Sequence, residues 1–192
     1  MPQAKAPRAD AVRNRKKILA AAGGLITTRG PEVGMDEIAA AAGVAVGTLY
    51  RHFPTKTDLV AAAVAEYVTQ VADDAEATRA RVTVGARALD ELTAFLERVI
   101  EASVTDRAVK AAAQTLVAEP GDHADEERAG AAVTALIHAG QAAGDIHPDV
   151  TVDDIYLLFS TAPTDQPPVA RARWLTLVTT GLTTARPSAP VR

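Results

Sequence analysis

The chain is predicted to be all-α, and three observations carry that prediction. Its apolar residues recur at helical spacing, and no alternating stretch is long enough to make a useful strand. Alanine runs at 39–42, 61–63 and 111–113 favour helix, because Ala loses least on entering one. Breakers then divide the pattern, at Gly30-Pro31, Pro54, Pro120-Gly121, His147-Pro148, Pro163, Pro167-Pro168 and from Pro187 onward. The expected result is about nine helices, at 11–28, 36–42, 47–53, 57–81, 86–104, 107–118, 123–143, 152–161 and 168–184. With 192 residues, 48% of them hydrophobic and 23% charged, one or two globular domains are expected. Aromatic residues make up only 4%, so the core must be built from Ala, Leu, Val and Ile.

The first helix offers Val12, Ile18, Leu19, Ala22, Leu25 and Ile26 as an inward stripe. Gly23-Gly24 inside it costs about 1 kcal/mol per glycine relative to Ala, which points to close packing against a neighbour or to a local bend. Gly30 suits the left-handed position that ends a helix.

The informative stretch runs from Met35 to Lys56, MDEIAAAAGVAVGTLYRHFPTK. It contains a short helix with Ile38 and the alanine run, a turn at Gly43-Val44, and a second short helix from Val46 to Phe53. That is a helix-turn-helix. Ala39 and Ala42 are small enough for the helices to cross closely, Gly43 supplies the turn conformation, and Val44 and Leu49 face inward. Such a unit lays its second helix in the major groove of DNA. Thr48 and Tyr50 carry hydroxyls for phosphate or base edges, and Arg51 carries a fork for guanine or phosphate. Val46 and Gly47 stand at the leading end for apolar contact with bases. His52 is a phosphate donor or a cap, and Lys56 follows just past Pro54; Phe53 is a core aromatic.

The charge distribution agrees. The formal net charge is −4, yet residues 1–56 hold nine Lys/Arg against four acids, a net +5. The remainder holds eleven against twenty, a net −9. A basic head on an acidic body places phosphate contacts on the head. The arm from Lys5 to Lys17 is a further candidate for minor-groove or phosphate contact.

GVAVGTLYRHFPTKTDL, preceded by DEIAAAAG and by a basic amphipathic helix ending in Arg29-Gly30, resembles the DNA-binding domain of the TetR family of transcriptional repressors over about residues 11–60. The rest resembles the family in layout, with Asp145-Ile146-His147-Pro148-Asp149-Val150 and Thr180-Gly181-Leu182 similar to the C-terminal end of many members. The resemblance implies a flexible basic arm over 1–10, a DNA-binding domain over 11–56, a helical effector-binding and dimerisation domain over 57–186, and a disordered tail over 187–192. It implies that Thr48, Tyr50, Arg51 and His52 touch DNA and that Lys56 binds phosphate. Two residues depart from the pattern: Gly34 replaces the usual Thr or Ser cap, and Leu25-Ile26 stand where an aromatic is frequent.

In the body, Ile155, Leu158, Phe159 and Ala162 form one stripe and Trp174, Leu177, Val178, Gly181 and Leu182 another. They are read as a homodimer interface, with internal core as the competing reading. Leu89, Leu92, Phe95, Leu96 and Val99, then Leu116 and Val117, then Val133, Leu136 and Ile137 line further stripes. Gln114, His138 and Gln141, embedded among them, are candidate contacts to an effector in a pocket that also takes in Leu92, Phe95, Leu96 and Val117, with an exposed or internally satisfied polar group as the competing reading for each of the three. A small or elongated apolar effector fits the scarcity of aromatics.

The function classes left out are equally informative. Without cysteine there is no disulfide, thiolate metal site or cysteine nucleophile. The histidines at 52, 123, 138 and 147 form no one-turn ligand pair, and no phosphate loop or nucleophile elbow appears, so no enzyme and no cofactor are expected. No apolar run approaches the ~18–20 residues of a membrane span. The basic start, residues 1–17, lacks the apolar stretch of a secretory signal, so a cytoplasmic location is expected. The expected protein is a homodimeric repressor that binds a palindromic double-stranded DNA operator and is released by a small molecule. The alternative is a helix-turn-helix protein without an effector, architectural or controlled by a partner protein.

Overall fold

The computed structural model describes residues 6–115 and 123–183. They form α1 (Ala6–Arg29), α2 (Met35–Ala42), α3 (Val46–His52), α4 (Lys56–Thr83), α5 (Ala88–Thr115), α6 (Ala124–Ala142), α7 (Val152–Thr161) and α8 (Pro168–Leu182). An isolated bridge between Ile146 and Thr183 is the only β pairing among the described residues. Among the described residues eight helices stand where nine were expected. The stretches expected to begin at 86 and at 107 are joined in one continuous helix, described from Ala88 to Thr115, because Ser103-Val104-Thr105-Asp106 between them contains neither Gly nor Pro to stop it. The helical start is also earlier than expected: α1 takes in residues 6–10, which the sequence had assigned to an arm. Residues 1–5, Leu116, Val117, Pro120-Gly121 and the tail lie outside the described residues.

The chain divides into two compact units, one of residues 1–69 with 103–123 and one of 70–102 with 124–192. The first unit thus reaches beyond the boundary expected at 56/57, taking in the start of α4 and the second half of α5. Its core joins Ile18, Leu19, Ala22 and Ile26 of α1 to Ile38 and Ala39 of α2, Leu49 and Phe53, Leu59 and Val60 of α4, and Val109 and Ala112 of α5. Val12 is exposed, contrary to the expected stripe. At about 100° per residue it lies some 120° around the helix from Ile18, at the stripe's edge. Gly23 and Gly24 are not close-packing sites either, since a Cβ on either would meet nothing within 4 Å. Their carbonyls accept the Thr27 and Thr28 hydroxyls at 2.8 and 2.9 Å.

The core of the second unit centres on Phe95, whose ring meets that of Phe159 edge-on at 6.2 Å. Leu92, Leu96, Leu136, Ile137, Ile146 and Ile155 are fully buried around it. Gly140 lets the turn after α6 fold tightly back: a Cβ there would lie 2.4 Å from Ile146 Cδ1. The turn needs Gly144 in the left-handed region, φ 74°. The Gln141 amide donates to the carbonyls of His147, Pro148 and Val150 at 3.1, 3.0 and 2.9 Å. The next helix, α7, opens on a capping box in which Thr151 and Asp154 exchange hydrogen bonds.

Arginines link the helices of this unit. Arg98 holds Asp74 at 2.9 Å, Arg81 holds Glu91 at 2.7 Å, and both donate to the buried Thr78 hydroxyl, which itself donates to the Asp74 carbonyl. Arg128 reaches Glu76, Asp73 and Asp125, and these carboxylates hold its guanidinium charged far beyond any working pH. Arg171, buried, forks onto both oxygens of Glu101 at 3.0 and 2.6 Å.

Candidate nucleic-acid interface

The site is built from two short helices whose ends are fixed by backbone geometry. At its start α2 has Gly34 as N-cap, φ −75° and ψ 151°, with no side chain to cap the helix. At its end Gly43 takes φ 65° and ψ 37°, a left-handed conformation that favours glycine. The Gly43 and Val44 amides then donate to the carbonyls of Ala40 and Ala39 at 3.1 and 3.0 Å, closing the helix and reversing the chain. Ala45, extended, opens α3, and its carbonyl takes the amides of Thr48 and Leu49 at 2.8 and 3.2 Å. The structure thus has the helix-turn-helix expected over 35–53.

Side-chain spacing divides α3 into two faces. Leu49 and Phe53, four apart, are buried against α1 and α2 with Ala39 and Ala42, and Val44 packs at the edge of the same cluster. On the other side Val46 and Tyr50 are one turn apart, as are Gly47 and Arg51, and all four are exposed. Thr48 and His52 are half-buried between the faces. The Arg51 guanidinium curls back along the helix, 3.4 Å from the Gly47 carbonyl and 3.3 Å from the Thr48 hydroxyl, and meets no carboxylate among the described residues. Its positive charge is therefore uncompensated on an edge carrying hydroxyl donors. That combination suits phosphate oxygens and base edges.

Lys56 has a different environment from the one its position suggested. It is half-buried in the first turn of α4, and its ammonium donates to the carbonyl of Pro31. The same helix start carries a reciprocal cap that the sequence reading missed. Thr55 donates to Asp58 through its amide at 3.0 Å and its hydroxyl at 2.8 Å, and the Asp58 amide returns a bond at 3.1 Å. The spacing Thr-x-x-Asp after Pro54 was the available signal. A second missed feature is Arg15, whose guanidinium lies over the Phe53 ring.

The described residues expected to contact an effector divide between the two units. Leu92, Phe95 and Leu96 are core of the second unit. His138 is exposed on α6, and the Gln141 amide is occupied by the turn that follows. Gln114 belongs to the α5 stretch of the first unit, and Val117 lies outside the described residues. A groove of about 410 Å³ in the second unit is lined instead by Leu89, Asp90, Thr93, Glu97, Thr179, Thr180 and neighbours, none of them in the expected set.

Of the residues expected at a subunit interface, Ile155 is buried in the core of the second unit, while Leu158, Phe159, Trp174 and Val178 are partly buried against it. Leu177 and Gly181 are exposed. Three apolar or aromatic residues outside the expected set, Tyr156, Leu157 and Val169, are exposed on the same two helices. Periodicity alone had no way to tell which side of α7 and α8 the core would take. Among the described residues no helix is long and apolar enough to cross a membrane.

Comparison with known proteins agrees with this geometry. Residues 18–63 match the model for bacterial regulatory proteins of the tetR family, and residues 87–184 match that for the C-terminal domain of SbtR-like transcriptional regulators. A TetR transcription regulatory protein from Mycobacterium vanbaalenii is 32% identical, with 92% of this chain and 99% of that one covered and a TM-score of 0.75. A TetR transcriptional regulator from Streptomyces coelicolor is 30% identical over 91% and 99%, with a TM-score of 0.74. A gamma-butyrolactone receptor described as ArpA-like is 25% identical over 88% and 85%, with a TM-score of 0.60. No curated protein matches the chain. With its helix-turn-helix, its helical second unit and relatives at 30% identity or more across nearly its whole length, the chain belongs to the TetR family of transcriptional regulators.

Proposed function

We propose that this regulator is a homodimeric repressor that binds a palindromic operator through α3 of each subunit and is released by a small molecule. One observation carries the reading: the recognition helix is anchored by Leu49 and Phe53 while Val46, Gly47, Tyr50 and Arg51 form an exposed edge with an uncompensated guanidinium. Thr48 and His52 flank that edge, and Lys56, at the start of α4, keeps two further ammonium donors for phosphate beside its bond to the Pro31 carbonyl. A single seven-residue helix offers little contact area, so specific binding needs two heads related by a twofold axis. The exposed Leu157 and Leu177, with Tyr156, Val169 and Gly181, give α7 and α8 a surface for the second copy. Acting on DNA, the protein works in the cytoplasm, and nothing in the proposed activity calls for catalysis.

Release by a small molecule is supported by the relative described as a gamma-butyrolactone receptor. An effector favours the released state only to the extent that it binds that state more tightly. The competing reading is a DNA-binding protein without an effector, architectural or controlled by a partner protein. Selection of duplexes from a random pool tests the first half. A selected site with two inverted half-sites supports it, and no enrichment refutes it. A thermal-shift screen of small molecules, followed by release of the selected duplex, separates effector control from its alternative.

A further inference from the structure

We infer that Arg15 is a positioning residue for the recognition helix, and not one of the phosphate contacts of the basic head. The inference rests on the reading of α3 as the DNA-contacting element. Arg15 belongs by sequence to the basic run of α1, with Arg13, Lys16 and Lys17. Its neighbours differ from theirs. Lys16 and Lys17 are exposed, and among the described residues Arg13 pairs with Asp10 on its own helix, at 3.0 Å. The Arg15 guanidinium instead lies 5.5 Å from the centroid of the Phe53 ring, and its Nη1 is 3.4 Å from Glu66 Oε2. One side chain of α1 thereby meets the residue that ends α3 and a carboxylate of α4, all within the first unit.

The location of that contact gives it its consequence. Phe53 is the C-cap of α3; its amide closes the helix on the Leu49 carbonyl at 2.8 Å, and its ring is buried. The His52 ring stands 6.2 Å from it, tilted by 43°. Leu49 anchors the middle of this two-turn helix from below, and Arg15 holds its last residue. A cation over an aromatic face is attracted by the ring quadrupole, and the Glu66 carboxylate keeps the guanidinium over that face. Thr48, Tyr50 and Arg51 all precede Phe53 by five residues or fewer, so a change in how Phe53 sits alters the pitch of the edge that meets DNA.

The test combines DNA affinity, its salt dependence and local hydrogen exchange in wild type, Arg15→Ala, Arg15→Lys and Glu66→Gln, using the full chain and a duplex selected by the wild type. A half-exposed cation–π contact corresponds to about two- to fivefold per head, and so to roughly four- to twenty-five-fold for two heads on one duplex. Arg15→Ala should show that loss with an unchanged slope of log K against log salt. Arg15→Lys should recover most of it, and Glu66→Gln should fall between. The amides of Leu49 and Phe53 should exchange faster in Arg15→Ala while those of Ile18 and Ile38 hold. A slope shallower by about 0.9 for each phosphate no longer neutralised would make Arg15 a phosphate ligand and overturn the proposal. Unchanged affinity would overturn it too, as would faster exchange across the whole head. Should the wild type bind no duplex, the DNA reading fails, while the exchange at Leu49 and Phe53 still decides whether Arg15 holds α3.

Discussion

Replacing Gly43 with alanine isolates the backbone requirement of the turn that sets the angle between α2 and α3. Gly43 has φ 65° and ψ 37°, and a Cβ built there meets nothing within 4 Å. The substitution therefore adds no clash, and its cost is that of forcing an L-residue into the left-handed region, about 1–2 kcal/mol. Asparagine visits that region more readily, so Gly43→Asn should cost distinctly less. The two compact units make a single global melt a poor measure, and the only tryptophan, Trp174, reports on the second unit. Native-state hydrogen exchange at the amides of Ile38, Val44, Leu49 and Phe53, each bonded within the motif, reads the first unit directly. Gly43→Ala should speed their exchange by about five- to thirtyfold, with Trp174 fluorescence unchanged. Equal costs for Ala and Asn, or no cost for either, would refute the account of the turn.

Further predictions concern DNA contacts, packing and pH. Tyr50→Ala, Thr48→Ala and Arg51→Ala should each weaken binding to a selected duplex, Arg51→Ala by about five- to hundredfold if its fork meets a base, without lowering the melting temperature. Equilibrium titrations by fluorescence anisotropy check this, with thermal melts and amide exchange at Leu49 and Phe53 as the control on the first unit's fold. Gly140→Ala drives a Cβ to 2.4 and 2.6 Å from Ile146 Cδ1 and Cγ1, and Ile146 is itself buried. It should cost about 1–3 kcal/mol, and adding Ile146→Ala should relieve part of the strain, so the double variant falls short of the sum of the singles in a denaturation series followed by Trp174. Three carboxyls of the second unit lie below their usual range: Glu76 by hydrogen bonding to Arg128, Glu101 by hydrogen bonding to Arg171, and Asp154 by hydrogen bonds from the Thr151 backbone and hydroxyl. A depressed folded-state pKa contributes stability above the unfolded value and loses it as pH falls through the folded one, so stability should hold at neutral pH and decline below about pH 4. Melts that rise between pH 5 and 3 would contradict this.

Local chemistry explains why some features were legible in the sequence and others were not. The helix-turn-helix was legible because a left-handed glycine, small residues at the crossing and apolar anchors four apart all act within twenty residues. Gly43, Ala39, Ala42, Leu49 and Phe53 sit as their chemistry demands. The continuity of α5 was not, since Ser103, Thr105 and Asp106 look like a loop while the stretch contains no breaker. Arg15 and Lys56 were both legible as cations, but their partners, Phe53, Glu66 and the Pro31 carbonyl, are supplied by tertiary structure. The same limit applied to α7. A period of 3.6 identifies a stripe, yet Ile155 went to the core and Leu157 to the surface. For Gln141 the sequence left two readings open, a ligand contact or an internally satisfied amide, and three carbonyls of the following turn take that amide.

The central claim is that a basic head inserts α3 into duplex DNA. Its most direct test is the affinity of the purified protein for a selected duplex between 50 and 200 mM salt, ~10- to 10⁵-fold weaker at the upper end if several phosphates are neutralised. A steep, linear fall of log K with log salt, which mixed-sequence duplex shows at lower affinity, is the predicted result. A flat response, or equal affinity for every duplex, would contradict the claim.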